Sequence, residues 1–409
     1  MKNKKDIRFK KFKNPLRLTF SEINKVIDVT AGYGFSVFVL KNYNANQVFG
    51  TGLNTDSQIG MVYFTSPFHC LRKTVKLKLS IFLTKGYQSS RHNAPMGILT
   101  APVPINLGLK NPTKTKVKAI SAGRAHLAVV TDLEGVFTLG NNAYGQCGRR
   151  IVENEEYFGS RIVHRIHHFE NDPFVNVECG QDHTLLLTQS GKVYSCGWGA
   201  DGQTGLGHYN SEQNLKRVSG DIENEKIVKI SSKCDCVLAI NDKGDVFGWG
   251  NSEYGQLCDR TDSYTQINTP LHMKKCEGFG KIVDVAAAGS FCMMLNEIGE
   301  VFTWGFGILG RGPNASQSFQ PEVIPSILFG RNDFQKDSRV VSVHCGVHYC
   351  GAINNYGEIY MWGKNQENCL GLMINNNADQ FFPLRVCLPG KGKKLALGVD
   401  HSLALCKPF

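Results

Sequence analysis

Apolar and polar positions alternate along this chain in short bursts, and the bursts recur in a fixed order. In Val175–Gly197 an alternating run (Val175, Val177, Cys179) is followed by a small turn. Then come the almost wholly apolar run Leu185–Leu187, a Ser190-Gly191 pair, and the run Val193-Tyr194, closed by Gly197. Period-two alternation predicts a half-buried strand, a continuous apolar run predicts a strand covered on both faces, and a Ser-Gly pair predicts a hairpin turn. The same order returns at Val117–Gly140, Ile227–Gly250, Ile282–Gly305 and Val340–Gly363, more loosely at Val26–Gly52, and in part at Leu395–Leu405. The Pro-flanked runs Ala101–Ile105, Gln320–Val323 and Phe382–Val386 predict a fourth strand, at a sheet edge where a missing N–H costs nothing.

Four short strands per unit, repeated around a ring, describe the blades of a propeller. The closing glycines Gly52, Gly140, Gly197, Gly250, Gly305 and Gly363 count six units, spaced 88, 57, 53, 55 and 58 residues apart. The long first interval predicts an insertion at about 61–96. The expectation is therefore an all-β, seven-bladed β-propeller of four-stranded blades over residues 21–409, preceded by a basic segment, 1–20, with the last blade incomplete. That blade has only Leu395–Leu405, and residues 1–20 hold no strand-like run to complete it. The pattern reads as that of a chain begun part-way, in which a transit peptide is not identifiable. Two other repeat types are set aside: the chain has no Trp-Asp pair for the WD type and no Gly-Gly pair for the kelch type. The hairpin signals also contradict a helical solenoid.

Composition adds little to the fold but narrows the chemistry. Of 409 residues 42% are hydrophobic and 20% charged, which suits a folded chain, and 43 glycines suit many tight turns. No apolar run is long enough to span a membrane, and no secretory signal is visible. The 14 cysteines sit mostly inside apolar runs, as expected of small buried hydrophobes in a reducing compartment. The net charge of +11 is concentrated in residues 1–18 and 61–118, which leaves the repeat body mildly acidic. Basic segments of this kind attract anionic partners or simply remain solvated.

Two stretches, Gly197–Gly202 and Gly305–Gly310, match the G-x-G-x-x-G pattern. Neither is followed by the helical pattern that would aim an N-terminus at a pyrophosphate, so both read as turns of the repeat. There is no P-loop, no paired C-x-x-C for zinc, and no complementary nucleophile–base arrangement; no catalytic residue, cofactor or metal is expected.

The stretches Cys179–Thr184, Asp201–Gly207, Val246–Leu257 and Ile359–Asn365 resemble the regulator-of-chromosome-condensation repeat, in register across six units. Gly140–Arg149, Cys196–Asn210 and Gly305–Asn314 resemble a mitochondrial branch of that family. The resemblance implies a regulator without chemistry of its own: a guanine-nucleotide exchange factor for a mitochondrial, dynamin-like fusion GTPase. It also implies a place in the matrix or peripherally on the inner membrane, and an association with mitochondrial ribosomal RNA or ribosome assembly proteins. An rRNA-associated assembly factor and a non-catalytic interaction scaffold stand as the alternatives. In the nuclear exchange factor of the family an Asp in a G-x-D-H turn matters for exchange, and Asp182 matches that turn, followed by His183. Asp400 and His401 repeat the pattern, Arg124 and His126 occupy the corresponding turn of the preceding unit, and all six are candidate contacts for a GTPase. Phe35, Asp235, Cys292 and Tyr349 are assigned to the histidine position in the other units. The competing reading of the histidines is structural, with each capping its own turn.

Overall fold

The computed structural model describes residues 15–41, 47–61, 95–257, 265–374 and 377–408. Most of the basic N-terminal segment (residues 1–14) and of the expected insertion (residues 62–94) lies outside the described residues. Six antiparallel four-stranded sheets and one two-stranded sheet follow one another along the chain. The first strand of each sheet touches the first strand of the next. Both strands of the seventh sheet, Gly390–Leu397 and Ser402–Pro408, touch the opening strand Val26–Ala31, so the ring closes. The fold is an all-β propeller of six full blades and a two-stranded seventh, as the repeat predicted.

The strand pattern follows the burial it implied. The second strands, Phe35–Leu40, His126–Thr131, His183–Thr188, Cys236–Asn241, Phe291–Asn296 and Tyr349–Asn354, are buried along their whole length. They are sandwiched between neighbours within the sheet and covered by the adjacent blades on both faces. The strands that contain the three predicted Pro-flanked runs, Ile98–Pro104, Gln317–Ile324 and Gln380–Val386, are outermost and largely exposed.

Each closing glycine lies directly opposite the first residue of the second strand: Gly52 opposite Phe35, Gly140 opposite His126, Gly197 opposite His183, Gly250 opposite Cys236, Gly305 opposite Phe291 and Gly363 opposite Tyr349. At Gly197 φ is 111°, and a Cβ would come within 2.5 Å of the Asp182 carbonyl oxygen and 2.6 Å of the His183 Cα. Only glycine tolerates both demands.

A Gln that follows in four blades, after Gly in three of them and after Ser57 in the first, joins three of them to the next. In the loops after the third strands, the side-chain oxygens of Gln58, Gln146, Gln203 and Gln256 accept the main-chain N–H two residues earlier, at 2.9 to 3.0 Å. The main-chain oxygens of Gln146, Gln203 and Gln256 then accept from the next blade: from Thr184 Oγ1 at 2.7 Å, Trp249 Nε1 at 3.0 Å and Trp304 Nε1 at 2.6 Å. Blade n thus supplies an acceptor and blade n+1 a buried donor, which satisfies polar groups that burial would otherwise penalise.

The seam between the seventh and first blades lacks this joint. There Val29, Ala31, Phe38 and Ala396 pack with Leu403 and Leu405. Ser36 Oγ lies 2.9 Å from His401 Nε2, and Asp28 pairs with Lys394. The short helix Phe20–Ile23 docks on the first blade by packing the Phe20 ring, tilted by about half a right angle, against Phe38 and Phe49.

Candidate functional site

Antiparallel strands divide the loops between the two ends of the central channel. The turns between first and second strands share one end with the loops after the closing glycines; the hairpins between second and third strands occupy the other. All six candidate residues therefore fall on the turn face.

The structure joins two of them directly. Arg124, from the second blade, forms a two-point ion pair with Asp182 of the third: Nη2 to Oδ2 at 2.6 Å and Nε to Oδ1 at 3.2 Å. The Arg124 main-chain N–H also donates to the Gln181 carbonyl at 2.9 Å. The Arg124 side chain is 45% exposed, whereas that of Asp182 is 9% exposed. The atoms offered to a partner are those of Arg124, and Asp182 holds them in place. Burial raises the Asp182 pKa; Arg124 offsets part of that and the nearby Asp56 adds to it.

The histidines have a different place. His126 and His183 are 0% exposed. Nε2 of His126 lies 3.0 Å from Thr184 Oγ1, and Nε2 of His183 lies 3.1 Å from Ser232 Oγ, each in the following blade. His401 makes the equivalent bond to Ser36 and meets Asp400 Oδ1 at 3.0 Å through Nδ1. The expectation of turn caps is corrected in its geometry: the rings join one blade to the next, and His126 and His183 present no surface to a GTPase. Asp400 remains half-exposed, held below its ordinary pKa first by the His401 hydrogen bond. The position itself shifts by one in two blades. Cys236 and Phe291, in place of Asp235 and Cys292, pair with the closing glycines.

That shift uncovers a residue the sequence reading misplaced. Asp235 is the fourth-blade equivalent of Asp182. Its pKa is pushed up to about 6, chiefly by burial, with Asp201 and Asp182 adding to the rise and a 2.9 Å hydrogen bond from Gln203 Nε2 opposing it. Two side chains reach across the channel end between the first and fourth blades. Tyr33 Oη lies 3.7 Å from Cys234 Sγ, and Lys233 Nζ donates to the Ala31 carbonyl at 2.7 Å. Burial lowers the Lys233 pKa. Aromatic pairs flank the end, Tyr144 with Trp198 at 4.5 Å and Tyr254 with Phe306 at 5.3 Å, and the latter pair is partly exposed. The arrangement offers a pinned cation, carboxylates and apolar edges, which suits a protein surface. Among the described residues no group of three or more His, Cys, Asp or Glu could hold a metal ion. The G-x-G-x-x-G stretches are turns that lead into the strands Glu212–Arg217 and Gln317–Ile324.

The buried histidines carry a pH dependence. Burial lowers His126 to about 4 and His183 to about 3. In the unfolded chain each protonates near its ordinary ~6.5. Below that pH the unfolded chain binds a proton that the fold refuses, so stability falls as pH falls from ~6.5 towards the folded values. At ~1.4 kcal/mol per unit, the two together cost about 4 kcal/mol at pH 5. Glu178, pushed up by burial to about 7, and Asp235 act with the opposite sign, since the fold takes up their protons first. A His183→Gln variant is expected to show a shallower fall in Tm between pH 7 and pH 5 than the wild type; an equal slope would remove His183 as a cause.

The sequence model of the regulator of chromosome condensation (RCC1) repeat matches residues 134–187, 243–295, 299–353 and 356–405, and a second model of the same description matches 174–203. Each full match begins at the hairpin of one blade and ends in the second strand of the next, so the sequence repeat straddles two blades. The last match ends within the two-stranded seventh blade. The chain is 45% identical to the human and mouse proteins called RCC1-like G exchanging factor-like protein, over 97% of its own length and 78% and 79% of theirs. Its structure is similar to that of human WBSCR16, with a TM-score of 0.84 at 42% identity over 96% of this chain and 88% of that one. Prp20p of Saccharomyces cerevisiae, described with its binding properties to Gsp1p and histones, has a TM-score of 0.69 at 15% identity. The match covers 94% of this chain and 83% of that one and bears on the fold alone.

Proposed function

The chain belongs to the regulator of chromosome condensation (RCC1) repeat family, and from that membership we propose that it is a guanine-nucleotide exchange factor acting through its turn face. The observation that carries this reading is the similarity, over nearly the whole chain, to proteins named as G exchanging factor-like. The pinned Arg124, the carboxylates around it and the aromatic edges supply a surface on which a GTPase docks. Exchange then needs no covalent step. A face that binds the nucleotide-free GTPase more tightly than the GDP-bound one shifts the population towards release, by as much as the two affinities differ.

The finer reading is that the GTPase is a dynamin-like fusion protein of mitochondria and that this protein works in the matrix or peripherally on the inner membrane. It rests on the stretches Gly140–Arg149, Cys196–Asn210 and Gly305–Asn314. No helix among the described residues is long and apolar enough to cross a membrane.

Stopped-flow release of a fluorescent GDP analogue tests both levels. The propeller is expected to accelerate release from the mitochondrial dynamin-like GTPase in proportion to its concentration. No acceleration at a saturating propeller concentration, with that GTPase and with the small GTPase Gsp1p, would end the exchange reading. Acceleration confined to a small GTPase would keep exchange and end the mitochondrial assignment.

A further inference from the structure

The hairpin face, at the opposite end of the channel, carries a pattern that exchange does not use. In all seven blades the first strand is out of register by one residue against the second. The extra residue is Ile27, Lys118, Val175, Val228, Val283, Val341 or Lys393. A bulge leaves its residue unpaired and re-aims the side chain. Here it points out at the channel mouth: the five apolar ones are 41 to 48% exposed, and both lysines are exposed. Isolated exposed apolar residues need no explanation, but four of these five, on the adjacent third to sixth blades, recur at equivalent places around one opening.

A second ring surrounds the first. Two residues before each bulge stands Lys25, Lys116, Lys226, Lys281, Arg339 or Lys391, with Pro173 in the third blade, and all six cations are exposed. Their backbones are fixed, because each carbonyl of Lys25, Lys116, Lys226, Lys281 and Arg339 accepts an N–H from the hairpin of its own blade, from Lys41, Asp132, Asp242, Glu297 and Asn355 respectively. Among the described residues, none of the eight cations in the two rings is in an ion pair. The hairpin bonds bring Asp132, Asp242 and Glu297 next to Lys116, Lys226 and Lys281, and Glu22 and Asp28 flank Lys25, whereas no Asp or Glu lies within six residues of Lys391 or Lys393.

Blade order makes the mouth two-sided. The seventh, first and second blades are neighbours and carry Lys391, Lys393, Lys25, Lys116 and Lys118. The third to sixth carry an unbroken arc of Val175, Val228, Val283 and Val341, with Lys226, Lys281 and Arg339 two residues before three of them, and Ile27 stands among the lysines of the first. A groove of about 240 Å³ links the two sides, with Val341 and Tyr356 on one wall and Lys391 and Lys393 on the other. A nucleic-acid backbone would use the lysines and leave the valines in water. A partner that satisfies both arcs has carboxylates on one side and an apolar side chain on the other. We infer that the hairpin-face mouth of the channel binds an acidic peptide segment bearing a bulky apolar residue, its carboxylates on the lysine arc and its apolar side chain on the valine arc. The site lies at the far end of the channel from Arg124 and Asp182 and stands whether or not exchange occurs.

Fluorescence anisotropy with a fluorescein-labelled octaglutamate ending in phenylalanine tests this on the full chain. Binding is expected to weaken as salt rises. The double change Lys118→Glu and Lys393→Glu is expected to weaken it by about tenfold or more, as two reversed contacts should. Val228→Ser with Val283→Ser is expected to weaken it by about fivefold through lost apolar contact. These positions are exposed, so both variants should keep the wild-type Tm, and a variant that does not is replaced by Lys118→Gln with Lys393→Gln or by Val228→Thr with Val283→Thr. The proposal is overturned if the peptide does not bind, if octaglutamate without phenylalanine binds as tightly, or if the valine variants bind like the wild type. It is equally overturned if decauridylate or vesicles with one-fifth phosphatidylserine bind more tightly than the peptide.

Discussion

Replacing Trp304 by alanine is expected to cost about 3–5 kcal/mol of stability, the range for deleting a large buried aromatic. Trp304 lies in the third strand of the fifth blade, Val301–Phe306, and is 0% exposed. Its ring fills the space between the fifth and fourth blades, and its Nε1 donates to the Gln256 carbonyl at 2.6 Å. Alanine would open a cavity and leave that buried carbonyl without a partner, a further ~1–3 kcal/mol. Against a typical total of ~5–15 kcal/mol the variant stands close to unfolding. A comparison of two milder changes separates the two costs. Trp304→Phe keeps most of the volume and loses the donor, so about 1–3 kcal/mol is expected. Trp362 is equally buried, but its Nε1 has no hydrogen-bond partner, so Trp362→Phe should cost less. Urea unfolding measures both. Equal losses at the two positions would show that the Gln256 bond contributes nothing and that volume alone holds the seam.

The parts of the fold that were legible in the sequence are those set by local demands. A closing glycine is required wherever a Cβ would strike the opposite strand, and a proline is tolerated only on an outer strand, so both mark their positions in every blade that has them. The ruler failed where it lost its marks. The turn of the fourth blade has Lys233 where other blades have glycine, and that of the fifth has Ala288 followed by Gly289. Both displaced the alignment by one and hid Asp235. The partners of the candidate residues were beyond a local reading for another reason. His126 meets Thr184, Arg124 meets Asp182, and Tyr33 meets Cys234 across the channel. Each contact joins different blades and exists only once the ring is closed. The two rings on the hairpin face lay in plain view as Lys or Arg two residues before a β-branched residue in four blades and before a lysine in two. What marks that position as outward is the bulge, and the bulge is known only from the register.

Arg124→Gln is expected to reduce the acceleration of GDP release by about thirtyfold or more, the effect of removing a ~2 kcal/mol arginine anchor from an interface centre. The exposed guanidinium is the charge a GTPase meets, and Asp182, 9% exposed, acts by holding it. Three consequences distinguish positioning from contact. Arg124→Lys should not restore exchange, because an ammonium cannot reproduce the two-point pairing that fixes the fork. Asp182→Asn should also be slow, yet the double variant should be no slower than Arg124→Gln alone, whereas two independent contacts would multiply. The third lies in pH. With its pKa raised by burial, Asp182 is protonated at a higher pH than an ordinary aspartate, so the pair opens earlier as the solution is acidified. Wild-type exchange should then fall on acidification along a limb that Asp182→Asn lacks and that lies above the range of an ordinary aspartate. Arg124→Gln leaves the 9% exposed Asp182 carboxylate without its cation and should lower the Tm, so exchange is compared at a temperature well below the Tm of every variant. Exchange that survives Arg124→Gln while failing in Asp182→Asn would reverse the assignment and make the carboxylate itself the contact.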